Sequence, residues 1–193
     1  MAGTRVWTVP NILSALRLKL AIVFFALVEQ GGYSAALAAF VVAAGTDWVD
    51  GWYARRYGQV SRLGRILDPL VDKVLVCGAF ILLAALPGNA IAPWMAVVVV
   101  VRELVVTAVR AEMERAGRDF SAGMAGKLKM VLQCAAVVVE LARLAFPGEY
   151  AAVEGLRPGS WLALGAVALT AWSGIEYVVK AWPVITGPEP QTR

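Results

Sequence analysis

Hydrophobic positions fall into six long apolar runs, separated by shorter polar, glycine- or proline-containing connections. Each run has 17–20 residues, and a helix needs about 20 residues to cross the ~30 Å hydrocarbon core of a bilayer. We therefore predict an all-α integral membrane protein with six transmembrane helices. The predicted spans are Ile12–Val28, Ser34–Tyr53, Leu70–Leu86, Ile91–Val109, Leu128–Phe146 and Trp161–Val179.

The segments outside these runs are too short to form a separate soluble domain. Residues 1–193 are therefore predicted to be a single six-helix membrane domain, with 181–193 as a C-terminal tail. Very short connections follow the first and third spans, so spans one and two, and spans three and four, should be antiparallel neighbours.

Basic residues predict the orientation of the spans. Alternate segments, beginning with the N-terminal tail and ending with the C-terminal tail, hold 11 Lys or Arg, and the other three connections hold one. The positive-inside rule then places both termini in the cytoplasm. We expect a multi-pass protein of the inner (cytoplasmic) membrane, with its basic face against anionic lipid. For most of these charges, setting the topology is a sufficient role.

Composition narrows the chemistry. The chain is 60% hydrophobic and 17% charged, with a mean hydropathy of +0.68, which excludes a disordered chain and argues against a soluble domain. It has no histidine, so a Ser-His-Asp triad and His-ligated zinc are excluded. Cys77 and Cys134 lie inside apolar runs, which argues against a zinc cluster or disulfide framework. Metal binding and proton transfer must therefore use carboxylates, and no nucleic-acid partner is expected.

Four aspartates lie at the cytoplasmic ends of the second and third spans. Asp47 and Asp50 are three residues apart, and Asp68 and Asp72 are four apart, so each pair shares a helix face. Close carboxylates repel one another, and an oxygen-only ligand set favours Mg²⁺ or Mn²⁺. The alternative is that each aspartate pairs with an arginine or caps a helix, as Asp68 before Pro69 suggests.

The spacing of these aspartates resembles the signature of the CDP-alcohol phosphatidyltransferase family. All eight fixed positions are present, in the order Asp47-x-x-Asp50-Gly51-x-x-Ala54-Arg55, eight residues, Gly64-x-x-x-Asp68-x-x-x-Asp72. The resemblance implies an enzyme that transfers a substituted phosphate from a CDP-linked donor to an alcohol and releases CMP. It also implies the six-helix CDP-alcohol phosphotransferase fold, a homodimer, and a site in a cytoplasm-facing cavity.

The resemblance further implies roles for individual residues. Asp47, Asp50 and Asp68 would hold the metal, with Asp72 near them and able to bridge to a second ion, so one or two ions are expected. Gly51 and Ala54 would leave room for cytidine, and Arg55 would pair with the pyrophosphate. The implied CDP-diacylglycerol-binding residues are Asn11, Ser14, Asp50, Gly51, Ala54, Arg55, Ser61 and Gly64.

The acceptor alcohol must lose a proton, and the chain has no histidine to take it. Asp72 is our candidate for the base, because it lies one helical turn beyond Asp68, next to the metal site.

Residues 8–140 also resemble one branch of the family, the phosphatidylglycerophosphate synthases. The matching segments are 9–17, Arg102-Glu103, 107–110 and 121–129. This implies transfer of the phosphatidyl group of CDP-diacylglycerol to sn-glycerol 3-phosphate in phospholipid biosynthesis. Alternative acceptors are inositol phosphate, another polyol phosphate, or phosphatidylglycerol for cardiolipin. A divalent-cation transporter that uses the four carboxylates is a remote alternative.

A phosphorylated acceptor suits the basic residues at the ends of the fourth and fifth spans. Arg110, Lys127 and Lys129 are candidates for its phosphate, although each could serve only to set the topology. Arg102 and Glu103 are adjacent in the fourth span, so we expect one to face the cavity, and either could instead anchor a neighbouring helix. The remaining charges in the last two spans, Glu140, Arg143 and Glu176, are expected to pair between helices.

Overall fold

A computed structural model gives the fold. It describes the backbone of residues 9–57, 64–115, 124–150, 155 and 158–185, and the side chains of 15–46, 71, 73–113, 126–150, 155 and 158–183. The elements in this part of the chain are all α-helices. They are α1 (Val9–Glu29), α2 (Tyr33–Tyr57), α3 (Gly64–Ala85), α4 (Pro93–Arg115), α5 (Met124–Ala145), α6 (Pro147–Tyr150) and α7 (Pro158–Ile185).

Each predicted span overlaps one long helix, and every one of these helices continues past its apolar run at one end or at both. The Asp47–Arg55 half of the motif lies on α2 without a break. The interpretation of Asp68 as a helix cap is wrong, because α3 already begins at Gly64. At the other end of the chain, α7 continues to Ile185, so the predicted tail 181–193 starts inside a helix.

Glycine ends the first helix. Gly31 has a φ of 76°, a left-handed conformation that glycine adopts without steric strain. The Gly31 N–H donates to the carbonyl of Val28 at 3.1 Å, and the Gly32 N–H donates to that of Leu27 at 2.9 Å. This pair of bonds is a Schellman motif, which satisfies carbonyls at the end of α1 and lets α2 return antiparallel to it.

The first three helices pack through aromatic rings and small residues. Phe24 of α1 lies against Phe40 of α2, with ring centroids 5.4 Å apart, and both side chains are buried. Gly78 of α3 lies under the ring of Phe25, where an added Cβ would overlap the ring. Glycine here therefore allows α1 and α3 to approach closely.

Large apolar side chains also cover the outside of the described helices. Within the described residues, one helix, Pro158–Pro183, is long and apolar enough to cross a membrane, and the apolar segments Tyr33–Thr46 and Lys73–Ala85 are shorter. Exposed examples on α7 are Trp161, Trp172, Ile175, Val179 and Trp182. An exterior of this kind marks a surface that contacts lipid or another protein.

The connections place the motif residues at one end of the bundle. Helices α3 and α4 are joined by a short turn at residues 86–92, so the start of α3 and the end of α4 lie at the same end. Helix α5 packs against α2, α3 and α7, and α4 packs against α3 and α7. The motif-bearing end of α2, the start of α3, the end of α4 and the start of α5 are thus neighbours.

Candidate functional site

The four aspartates lie on two helices, as the sequence predicts. Asp47 and Asp50 are on α2, and Asp68 and Asp72 are on α3. Their side chains lie outside the described part, so the metal site remains a prediction. Among the side chains that are described, no group of three or more potential metal ligands occurs, and this search does not include the four aspartates.

The predicted donor-binding residues belong to three helices. Asn11 and Ser14 are on α1, and Gly64 is the first residue of α3. Gly51, Ala54 and Arg55 follow Asp50 on α2, while Ser61 lies outside the described residues. These backbone positions agree with the predicted helices, and the contacts of these side chains remain predictions.

A second group of polar side chains is described in full, and we call it the α4–α5–α7 polar cluster. Arg102 donates through Nη1 to Oε1 of Glu103 at 3.2 Å and through Nη2 to Oγ of Ser173 at 3.1 Å. Lys129 of α5 forms an ion pair with the same Glu103 oxygen. The members of the cluster are Arg102, Glu103, Lys129, Gln133, Thr170 and Ser173.

Positive charge exceeds negative charge in these contacts. The two cations Arg102 and Lys129 share one carboxylate oxygen of Glu103. Arg110 also interacts electrostatically with Arg102, and Lys73 interacts with Lys129. Lys129 is only 7% exposed. Because excess buried charge is unfavourable without a counter-ion, this arrangement suits an anionic ligand.

The cluster lies beside the helix that carries half of the aspartate motif. Lys129 interacts electrostatically with Lys73 and with the thiol of Cys77, both on α3. Lys73 directly follows Asp72 in the chain. The cationic cluster therefore faces the same region of α3 that the sequence assigns to the metal and the base.

The three predicted phosphate-binding residues separate in the structure. Lys129 belongs to the cluster, and Arg110 is half-buried with a buried Nε that has no hydrogen-bond partner in the described part of the chain. Lys127 is exposed. Residues two apart on a helix point about 200° apart, so Lys127 and Lys129 project from opposite sides of α5.

Both halves of the Arg102-Glu103 pair take part in the cluster. From the sequence, either Arg102 or Glu103 could face inward. Arg102 reaches Ser173 of α7, and Glu103 reaches Lys129 of α5, so adjacent residues link α4 to two different helices.

The α7 side of the cluster was missed from the sequence. Thr170 and Ser173 are buried, at 0% and 6% exposure, in a helix that otherwise has a strongly apolar sequence. Their 3-residue spacing, followed directly by Gly174, is the signal that could have identified them, because polar and small residues on one face of a membrane helix mark an inter-helix contact.

A separate polar group lies at the opposite end of α5, and we call it the Glu140 clamp. The buried Glu140 carboxylate accepts from Nε of Arg143 at 3.0 Å and from the backbone N–H of Ala90 at 3.4 Å. Gly159 of α7 packs directly on this carboxylate. The clamp therefore joins α5, the α3–α4 connection and the start of α7.

The expectation of inter-helix ion pairs is wrong for these charges. Glu140 pairs with Arg143 of its own helix, three residues away. Glu176 pairs with Lys180, four residues along α7, at 2.5 Å. Pairs at these spacings form within a helix because the two side chains lie on the same face. Glu140 still links helices, although through backbone and glycine contacts.

Comparisons with known proteins agree with the motif. Residues 7–172 match the family model for CDP-alcohol phosphatidyltransferases. A Pseudomonas fluorescens protein named CDP-diacylglycerol–glycerol-3-phosphate 3-phosphatidyltransferase is 35% identical, over 91% of this chain and 90% of its own length. Relatives with the same name are 38% identical in Bacillus subtilis (76% of this chain, 72% of theirs) and 34% identical in Escherichia coli K12 (91% and 95%).

A solved structure shares the fold. The crystal structure of Mycobacterium tuberculosis phosphatidylinositol phosphate synthase, PgsA1, with CDP-DAG bound, matches with a TM-score of 0.65 over 98% of this chain and 92% of that one. Its identity of 18% limits the likeness to the fold. The family model and the relatives together establish that this chain belongs to the CDP-alcohol phosphatidyltransferase family of transferase enzymes.

Proposed function

We propose that the protein transfers the phosphatidyl group of CDP-diacylglycerol to sn-glycerol 3-phosphate, which gives phosphatidylglycerophosphate and CMP. The names of relatives that align over most of the chain support this reaction. Membership of a transferase family leaves no support for the cation-transporter alternative.

Among the described side chains of the α4–α5–α7 polar cluster, two cations share one carboxylate, and this local excess of positive charge is the observation that carries the choice of acceptor. A phosphate monoester supplies the missing negative charge and several acceptor oxygens, which arginine and lysine bind through charge-assisted hydrogen bonds. The buried Nε groups of Arg102 and Arg110, which lack partners among the described residues, are donors of the right kind. A neutral alcohol would offer these cations no negative charge to bind.

The donor half of the site rests on the aspartate motif. Asp47, Asp50 and Asp68, with Asp72, offer carboxylate oxygens from the neighbouring ends of α2 and α3, a donor set that fits Mg²⁺ or Mn²⁺. One or two such ions, when bound, would offset the charge of the pyrophosphate. Asn11, Ser14, Gly51, Ala54, Arg55, Ser61 and Gly64 would bind the rest of CDP-diacylglycerol, as the resemblance implies.

The residues of this chain divide the chemistry between them. Asp72 accepts the proton of the acceptor hydroxyl as that oxygen attacks the phosphorus of the phosphatidyl group. A new P–O bond forms to the acceptor, and the bond from that phosphorus to the bridging oxygen breaks, so that CMP leaves. Arg102, Arg110 and Lys129 hold the acceptor's own phosphate during the attack, because phosphoryl transfer depends mainly on positioning and electrostatics.

The membrane arrangement is part of the same proposal. Six spans cross the inner (cytoplasmic) membrane, both termini face the cytoplasm, and the acyl chains of the donor stay in the bilayer against the exposed apolar side chains. The asymmetry of basic residues supports this orientation. The homodimer implied by the family resemblance is tested by chemical cross-linking in membranes.

An acceptor panel tests the reaction. Purified protein in mixed micelles with CDP-diacylglycerol and Mg²⁺ is given sn-glycerol 3-phosphate, inositol phosphate, phosphatidylglycerol or glycerol, and release of CMP is measured. We expect kcat/KM for glycerol 3-phosphate to exceed that for glycerol by about 10- to 100-fold. Equal use of glycerol, or a preference for one of the other acceptors, contradicts the proposal.

A further inference from the structure

Arg102 is held in place from α7. Its Nη2 donates to Ser173 Oγ at 3.1 Å. Next to Ser173, Gly174 has no side chain, and a Cβ placed there would lie 2.8 Å from Cγ of Arg102. The aliphatic part of the arginine therefore rests directly on the α7 backbone, and its head is bound by the neighbouring hydroxyl.

The hydroxyl that receives Arg102 is itself oriented by a chain of hydrogen bonds. Ser173 Oγ donates to the carbonyl of Thr170 at 3.1 Å, which leaves its lone pairs for the guanidinium. Thr170 Oγ1 donates to the Ala166 carbonyl at 2.5 Å and accepts from Nε2 of Gln133 at 2.9 Å. Thr170, Ser173 and Gln133 are all buried, so this part of α7 has little freedom to rearrange.

Two of the three guanidinium nitrogens of Arg102 are thus engaged. Nη1 binds Glu103 and Nη2 binds Ser173, while Nε is buried without a hydrogen-bond partner in the described region. A buried donor left unpaired is unfavourable by about 1–3 kcal/mol. The two bonds fix the planar guanidinium, and its remaining N–H groups, the buried Nε–H among them, have no hydrogen-bond partner among the described residues.

We propose that Ser173 and Gly174 of α7 are positioning residues that hold Arg102 ready for the phosphate of the acceptor alcohol. This inference rests on the proposed function. The last long helix then controls the use of phosphorylated acceptors without contacting them. A free arginine side chain loses about 2 kcal/mol of rotamer entropy when it is ordered, and α7 removes much of that loss before the acceptor arrives.

The test compares two small substitutions in the full-length protein. Ser173→Ala removes the hydroxyl, and Gly174→Ala places a methyl group against the Arg102 stem. We expect each to raise KM for glycerol 3-phosphate by about 3- to 10-fold, with kcat and the KM for CDP-diacylglycerol changed less than about twofold. The preference for glycerol 3-phosphate over glycerol falls by the same factor.

Two further variants separate positioning from a general structural role. Gly165→Ala lies on the same helix. Apart from the backbone of α7 itself and the two chain neighbours, none of the described atoms lies within 4 Å of its added Cβ, so we expect wild-type kinetics. Ser173→Thr keeps the hydroxyl and is expected to recover most of the acceptor preference. Thermal unfolding of each variant in detergent shows whether it is folded.

The outcomes distinguish this inference from the proposed function. If wild-type protein shows no preference for glycerol 3-phosphate over glycerol, the proposed function is wrong. If the wild type shows that preference and Ser173→Ala and Gly174→Ala keep it, α7 does not position Arg102. A parallel rise in KM for both substrates also overturns the inference.

Discussion

The α4–α5–α7 polar cluster and the Glu140 clamp are both buried groups of charged side chains that join helices, yet their charge balance differs. In the clamp, one carboxylate meets one arginine and one backbone N–H. In the cluster, two cations share one carboxylate oxygen, and Arg110 lies close enough to Arg102 to interact with it electrostatically. A buried group with balanced charge can link helices without any ligand. A buried group with excess positive charge is stabilised when an anionic ligand binds.

Spare hydrogen-bond donors alone do not separate the two groups. Within the described part of the chain, buried nitrogens without partners occur in both, on Arg102 in the cluster and on Arg143 in the clamp. The comparison therefore rests on net charge and on position. The cluster faces the Asp72 region of α3. The clamp lies about 16 Å away along α5, because Glu140 is 11 positions beyond Lys129.

The largest expected effect on activity is at the base. Asp72→Asn keeps the size of the side chain and removes its ability to accept a proton, so kcat should fall about 1,000-fold. Thermal unfolding should change little. Activity is measured as CMP release at saturating concentrations of both substrates, and a variant with near-wild-type kcat would exclude Asp72 as the base.

The largest effect on stability is expected in the clamp. Glu140→Ala leaves Arg143 without its partner and frees the α3–α4 connection, which should lower the free energy of unfolding by about 3–5 kcal/mol. Denaturant titration in mixed micelles measures it. The matched control is Glu176→Ala, which breaks an exposed pair on α7 and should change stability by under about 0.5 kcal/mol.

KM values of the folded Glu140→Ala protein complete that test. Both substrates should bind as they do to the wild type, since the clamp lies far from the site. A selective rise in the KM for glycerol 3-phosphate would show that the Glu140 clamp contributes to acceptor binding and is not only a structural contact.

An intermediate effect is expected at the cluster lysine. Lys129→Met removes a buried charge and keeps much of the side-chain volume, so KM for glycerol 3-phosphate should rise about 10- to 100-fold. The matched control, Lys127→Met, changes an exposed residue two positions earlier. It should raise the KM for glycerol 3-phosphate by less than about twofold. Similar effects of both would instead favour the sequence-based expectation that the two lysines act together.

The smallest effect is expected where the clamp meets α7. Gly159→Ala forces a methyl group against the Glu140 carboxylate and should destabilise the protein by about 1–3 kcal/mol. Gly165→Ala, in open space on the same helix, should leave stability unchanged or raise it by up to about 1 kcal/mol. The midpoints of thermal unfolding of the two variants are compared. Equal midpoints would show that α7 shifts at no cost to make room for the methyl group beside Glu140.

Much of the helix layout could be predicted from hydrophobic runs. The six predicted spans coincide with α1–α5 and α7, because apolar length is a local property of the sequence. Helix ends were less predictable. Asp68 looked like a cap, yet α3 starts at Gly64, since polar residues at a helix end fit both a cap and a further helical turn.

The helix positions of the four aspartates could be predicted from their spacing. Asp47 and Asp50, and Asp68 and Asp72, share helix faces because of the helical repeat alone, and the motif they form led to the family. For Lys127 and Lys129, the sequence does not show which side chain is buried. Both are basic and near one helix end, yet Lys127 is exposed and Lys129 is buried.

Sequence alone therefore determined the number of long helices, the family, and the place of the aspartates, because these depend on local period and composition. Only the tertiary structure decided that Arg102 rests on Gly174, that Lys129 and Arg102 share Glu103, and that Glu140 binds a distant backbone N–H. Those contacts join residues 26–72 positions apart in most cases. They form only when the helices pack together, and the periodicity within one helix does not determine which residues of another helix it contacts.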